Sequence, residues 1–189
     1  LRTVFYAGVN DWQSGNLPCD HPRARSHAPH YRDTLDGLTA LLATAERQDF
    51  MVLFKPHPNL FPRPLDIRHD RLIHVREAAA TDCILGTDVT VTLLSSLAYI
   101  SLAHRKPTVL LGRNTLSGVH AAHELDDYAD LDACMAAALV DEGSDRRNAA
   151  YERHVAALLR RHLFPYGDAT TTALLGDDDA VARLLALGA

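Results

Sequence analysis

The chain has 189 residues, enough for one domain with a sizeable core, and its 47% hydrophobic share is ordinary for a folded globular protein. A formal net charge of -5 makes the chain as a whole a poor electrostatic match for nucleic acid or an anionic membrane, so only local basic patches could serve such partners. Cys19, Cys83 and Cys134 match no metal or redox spacing and read as reduced thiols of a cytosolic protein, and no apolar run approaches the roughly 20 residues of a membrane span.

The stretch "TVFYAG" (3–8) reads as a strand ending at a glycine, and residues 9–30 read as polar and irregular. In 31–48, Leu35, Leu38, Leu41, Leu42 and Ala45 fall at helical spacing, with Asp33 or Thr34 as N-cap. "FMVLFK" (50–55) is a strand, and it cannot run on because Pro56 and Pro58 have no N–H to give a ladder. A short strand over 71–75, a short helix over 77–87 closing near Gly86, a strand over 88–94 and a helix over 97–105 come next, with Ser95-Ser96 as the turn between the last two. "PTVLLG" (107–112) is a further strand, and the remainder is expected to be helical over 119–142, 146–163 and 169–187, with Pro165 to Gly167 as punctuation.

Strands alternating with helices imply βαβ units and a parallel sheet, and runs such as "MVLF" and "VTVTLL" are apolar enough for burial on both faces. The expected fold is a Rossmann-like three-layer α/β/α sandwich with a mainly parallel sheet of about five strands and a helical C-terminal part, forming a single domain over 1–189. The ligand of such a fold lies outside the carboxyl ends of the strands. Those ends offer Gly8 to Asp11, Lys55 to Asn59, Leu94 to Leu97 and Gly112 to Ser117.

Lys55 is a point charge, and His57 can donate from a ring nitrogen. Ser95 and Ser96 stand where a strand turns into a helix, so hydroxyls, free backbone N–H groups and the helix dipole meet there. Gly112 lets backbone approach a ligand, and Asn114 adds a neutral donor. Each has a plainer reading: Ser-Ser as a simple cap, His-Pro as a solvated histidine, Gly112 to Asn114 as a turn. The coincidence decides, because the Lys-Pro-His-Pro and Ser-Ser elements end separate parallel strands that the fold brings together. A phosphate-type group is expected between these two loops.

Other chemistry is weaker. His21, His27 and His30 share one loop, but their spacing matches no zinc pattern, so no metal is expected. No G-x-G-x-x-G, P-loop or G-x-S-x-G motif occurs. "GDDDA" (176–180) reads as the acidic start of a helix and a solvated turn.

"LFKPHPN" (53–59) together with "DVTVTLLSSLAYISLAHRKPTVLLGRNTLSGV" (88–119) resembles the capsular polysaccharide biosynthesis glycosyltransferases, in particular the Kdo-transferase-like capsule proteins of GT-B fold. The resemblance is carried by residues 50–120 and extends loosely to the whole chain. A GT-B enzyme has two Rossmann-like domains, so this chain, which begins at Leu1 rather than Met, looks like the carboxyl-terminal, donor-binding half of a larger protein. The resemblance implies that His57 and Pro58, with Ser95 and Ser96, hold the phosphate of a nucleotide-sugar donor, CMP-Kdo-like in the favoured case. His57 is expected to act on the leaving phosphate, and Lys55 joins them on its chemistry. It implies no cofactor beyond that substrate. Its expected partners are a glycan or glycolipid acceptor, a second GT-B domain and capsule assembly proteins, and its expected place is cytoplasmic, peripheral at the inner face of the inner membrane. Two alternatives stand beside it: a UDP-N-acetylglucosamine 2-epimerase-like enzyme, which also places His-Pro after a strand, and a non-catalytic nucleotide-binding or docking module.

Overall fold

A computed structural model describes residues 1–59, 67–141 and 143–161. The chain divides into two compact units, Leu1–Tyr151 and Glu152–Ala189, and the whole sheet belongs to the first. The expected helix over 169–187, the punctuation at Pro165 to Gly167 and the acidic turn at 176–180 lie outside the described residues.

In chain order the elements are β1 (Arg2–Ala7), α1 (Pro22–His27), α2 (Thr34–Gln48), β2 (Phe50–Lys55), β3 (Leu72–His74), α3 (Ala80–Leu85), β4 (Val89–Thr92), α4 (Leu97–Ala103), β5 (Thr108–Leu110), β6 (His123–Glu124), a 3-10 turn (Leu125–Asp127), α5 (Leu131–Val140) and α6 (Ser144–Arg161). The six strands form one sheet in the order β3-β2-β1-β4-β5-β6. Every neighbouring pair is parallel. This is the doubly wound α/β arrangement. The winding reverses between β1 and β4, and a crevice opens there at the carboxyl ends of the strands.

Alternation along β1 builds both layers. Val4 and Tyr6 are fully buried in the cluster that contains Leu38, Leu41 and Ala45 of α2, whereas Phe5 and Ala7 are buried with Cys83 and Ile84 of α3. A strand covered on both faces must be apolar at consecutive positions, which is what "VFYA" supplies. Helix α2 begins where the Asp33 side chain accepts the Asp36 N–H, and ends at Asp49 in the left-handed region (φ 57°). An ion pair ties it to α5: Arg47 Nε lies 2.6 Å from Asp132 Oδ2, and Thr44 Oγ1 donates to Asp132 Oδ1 at 2.6 Å. These contacts hold the Asp132 carboxyl below its ordinary range, the arginine hydrogen bond first.

Three expectations are corrected. The sheet has six strands, not five, because His123–Glu124 pairs with β5 as a two-residue strand inside the stretch expected to be helix from 119. That stretch bends too sharply for a helix: Gly118 and His120 have φ of 76° and 57°, and the helix waits until Leu131, where Asp130 caps Ala133 N–H. Within 9–30, expected to be irregular, Pro22–His27 forms a single short helix started by Pro at N1.

Candidate functional site

The crevice at the switch point is a cleft of about 340 Å³, and it brings together Lys55, His57, Pro58, Ser95 and Ser96, with Phe5, Gly8, Ala80 and Leu97 completing the apolar floor and sides. Its walls come from the ends of β1, β2 and β4 and the starts of α3 and α4. Among the described residues that line it there is one formal positive charge, Lys55, and no carboxylate. A cleft of that composition favours an anion.

The Lys-Pro-His-Pro turn is fixed from several sides. Gly8 N–H donates to the Lys55 carbonyl at 3.0 Å, and the Asn10 side chain donates to the Asn59 carbonyl at 3.4 Å. A Cβ on Gly8 would stand 3.1 Å from both the Lys55 carbonyl and Pro56 Cα, so a side chain there would have to push this turn back by a few tenths of an ångström. The Lys55 ammonium donates to the Arg76 carbonyl at 3.2 Å, which steadies the charge at the rim while leaving it able to give two further hydrogen bonds. Asn59 N–H donates to His57 Nδ1 at 3.2 Å. With Nδ1 accepting, the proton of the neutral ring sits on Nε2, so the half-buried imidazole keeps a donor for a ligand.

On the opposite wall, Thr92 Oγ1 accepts from Ser95 N–H at 2.9 Å, and Ser95 Oγ accepts from Leu97 N–H at 3.1 Å. Ser95 therefore caps the first turn of α4, and its hydroxyl proton remains available. Ser96 is exposed and its side chain caps nothing, because its backbone (φ −62°, ψ −11°) is already helical and not extended as a cap requires. Helix α4 is only seven residues long, so the hydroxyls and the cationic loop across the cleft outweigh any dipole it adds.

Gly112 and Asn114 stand elsewhere. Gly112 lines a separate small hollow beside Arg113, Ser117 and Glu124. A Cβ there would meet the His27 carbonyl at 2.6 Å and the Leu93 carbonyl at 2.8 Å. Its close approach is to the protein's own backbone, and Arg113 N–H donates to that same His27 carbonyl at 2.6 Å. Asn114 spends its side chain on the Leu116 N–H at 2.8 Å, closing the turn. Since backbone cannot step aside cheaply, Gly112→Ala is expected to destabilise the fold by about 1–3 kcal/mol, or roughly 3–10 °C in melting temperature. A calorimetric scan that finds the melting temperature unmoved would refute this account of Gly112.

The sequence carried no signal for the apolar side of the cleft. Ala80 is an ordinary helix residue until the fold sets it there, whereas Gly8 and Leu97 stand at strand ends and are legible by position alone. Two of the three thiols are unsuited to nucleophilic work: Cys83 and Cys134 are buried, and burial raises both, Cys134 to about 12. His21, His27 and His30 do not converge on one point. His21 Nδ1 caps the Arg23 N–H, and His30 Nε2 lies 2.5 Å from Asp126 Oδ1. A different trio, His120, Glu124 and Asp127, has ligand atoms within 4.8 Å of one another, and both Glu124 oxygens accept from Gly118 N–H.

No family model and no curated protein matches the chain. Among solved structures, SnogD, a glycosyltransferase from Streptomyces nogalater, superposes with a TM-score of 0.53 at 10% identity, over 82% of this chain and 39% of that one. KpsC of Thermosulfurimonas dismutans, described as a beta Kdo 2,7 transferase, superposes with a TM-score of 0.47 at 16% identity, over 72% of this chain and 44% of that one. A KpsC from the same organism, described as a beta Kdo 2,4 transferase, gives 0.46 at 14%, over 65% and 37%. At the first of these scores the likeness is one of fold. The chain spans less than half the length of each of these proteins.

Proposed function

We propose that this chain is the donor-binding lobe of a GT-B-type glycosyltransferase, and that the cleft between Lys55-Pro56-His57-Pro58 and Ser95-Ser96 grips the phosphate of a nucleotide sugar. The observation that carries the reading is the convergence of a cation, a fixed Nε2–H donor and two hydroxyls on one cleft at the switch point that has no carboxylate among its described lining residues. The fold shared with a glycosyltransferase supports it, as does the sequence resemblance to capsule transferases.

In the reaction an acceptor hydroxyl attacks the anomeric carbon, and the bond from that carbon to the phosphate oxygen breaks. Negative charge grows on the departing phosphate, so donors fixed at that point stabilise the transition state more than the ground state. His57 Nε2–H is placed to donate to that oxygen, and Lys55 and the hydroxyls of Ser95 and Ser96 share the remaining charge. The acceptor proton leaves to a base on the facing lobe. A cleft of about 340 Å³ is near the lower end for small-molecule sites. In this reading it holds the phosphate and its neighbours, and the second lobe closes over the rest. The favoured donor is CMP-Kdo-like, and the setting is capsule or surface polysaccharide synthesis at the cytoplasmic face of a membrane. No described helix is long and apolar enough to cross one.

Calorimetric titration with CMP, UDP and CDP tests the reading. Micromolar CMP binding with little for UDP supports it. UDP preference would turn it towards a hexose transferase or a 2-epimerase, and no binding by any of the three would leave a docking module.

A further inference from the structure

Around β6 three consecutive pieces of chain turn back on one another. His120 precedes the strand with a φ of 57°, Glu124 is the last residue of the strand, and Asp127 closes the 3-10 turn that follows. One ligand-type atom from each side chain lies within 4.8 Å of the other two, and His120 Nδ1 is 3.9 Å from Asp127 Oδ2. That last separation is too long for a hydrogen bond, and an exposed ion pair of this kind contributes little by itself. None of the three residues lines the donor cleft.

The Glu124 carboxylate is the feature that needs an account. The residue is only 9% exposed, and its two oxygens share a single donor, Gly118 N–H, at 3.0 and 2.9 Å. Among the described residues no lysine or arginine pairs with it. Arg113 lines the same small hollow, but its Nε is given to Asp126 at 2.9 Å. A carboxylate taken out of water is normally paired with a cation or bound to a metal. The two groups beside it are metal ligands by their chemistry, and their side chains are 70% and 52% exposed. They are free to swing inward while the buried carboxylate stays in place.

We propose that His120, Glu124 and Asp127 bind one zinc ion. Zinc takes imidazole nitrogen and carboxylate oxygen at about 2.0–2.2 Å, which sets tetrahedral ligand atoms about 3.4 Å apart. The 3.9 Å between His120 and Asp127 closes to that spacing by a small rotation of two exposed side chains. An all-oxygen set would suit magnesium or calcium, whereas an imidazole moves the preference to zinc and its neighbours. Three protein ligands leave the fourth position to water on the exposed side. The ion neutralises two carboxylates and ties the turn after β5 to β6 and to the 3-10 turn. Strand β6 has two residues and one neighbour, so a cross-link there stiffens the margin of the sheet. The proposal does not depend on the donor reading above.

Calorimetric titration of the chelator-treated chain with zinc chloride, and with magnesium chloride as the control, tests it. One zinc per chain is expected to bind in the micromolar range, with magnesium at least tenfold weaker. His120→Ala and Asp127→Asn, at two exposed positions, are each expected to weaken zinc at least tenfold and to leave the metal-free melting temperature unchanged. Glu124→Gln keeps an acceptor for Gly118 N–H and removes the charge, and the same loss is expected; if that variant does not fold, the two exposed ones decide. Added zinc is expected to raise the melting temperature of the wild type and not of the variants. Zinc bound equally by wild type and variants would belong to another group, such as the exposed Cys19 thiol, and would overturn the proposal. No zinc binding, or magnesium bound as tightly as zinc, would overturn it as well.

Discussion

Replacing His57 with alanine, or Ser95 and Ser96 together with alanine, is expected to weaken nucleotide binding by about 1–3 kcal/mol, roughly 5- to 150-fold in Kd. The figure is that for hydrogen bonds to a charged group. His57 loses one donor, set on Nε2 because Asn59 N–H occupies Nδ1. The serine pair loses two hydroxyls, of which Ser95 also caps the Leu97 N–H. The cap loss weakens the seven-residue α4 and so lowers stability as well, which a melting curve on the apo protein would register separately. Combining all three changes removes donors from both walls. Because they touch one anion they are not independent, and the combined loss is expected to be about 2–5 kcal/mol, short of the plain sum. The pattern across ligands is as informative as the size. Donors aimed at phosphate act on CMP and UDP alike and do not act on the bare nucleosides. Nucleotide affinity unchanged in all three variants, with the fold intact, would remove the phosphate assignment.

How far the fold is legible in the sequence depends on where each element draws its stability. β2 is readable to the residue because an apolar run meets two prolines, and the stop is local chemistry. α2 is readable because its leucines repeat at helical spacing and Asp33 can cap it. α1 is not: "PRARSH" has no apolar face, and it is seated by a backbone contact from His27 to Arg113, far along the chain. β6 escapes local pattern for a related reason. Its two residues form a strand only because β5 offers Val109 and Leu110 as partners, while the surrounding alanines and acidic residues suit a helix equally well. The candidate site divides along the same line. Lys55, His57, Pro58, Ser95 and Ser96 come directly after strands, where chain order alone predicts convergence. Gly112 and Asn114 also come after a strand, but the 9–33 segment folds across that end of the sheet and takes up the glycine's close approach. A long connection whose path is set by tertiary contact cannot be placed from local pattern.

Stability is expected to fall by about 3 kcal/mol between pH 6.5 and pH 4 through His123 alone. This side chain on β6 is 2% exposed, with Nδ1 2.7 Å from the Tyr128 hydroxyl and Nε2 without a hydrogen-bond partner among the described residues. Burial lowers its pKa from 6.5 to about 4, and the nearby Arg147 charge adds to the effect. Asp141 opposes both, but its Oδ1 is 3.9 Å from Nε2 and already held by Arg147 at 2.5 Å. In the unfolded chain the ring takes up a proton near pH 6.5; in the folded protein it resists until about pH 4. Between those values the unfolded state binds the extra proton, so unfolding free energy drops as pH falls and the loss is complete below pH 4. The carboxyls held low by their partners, Asp36, Asp88, Asp126 and Asp132, lose their contributions only as pH passes below the ordinary carboxylate value of 3.8, and they do so equally in a variant. His123→Phe removes the proton and leaves the Tyr128 hydroxyl to find water, so it is expected to be less stable at pH 7 but flatter towards pH 4, with one proton fewer taken up on unfolding. Urea unfolding at several pH values in that window measures the difference. Parallel slopes for the two proteins would show that the buried imidazole is not the group that titrates.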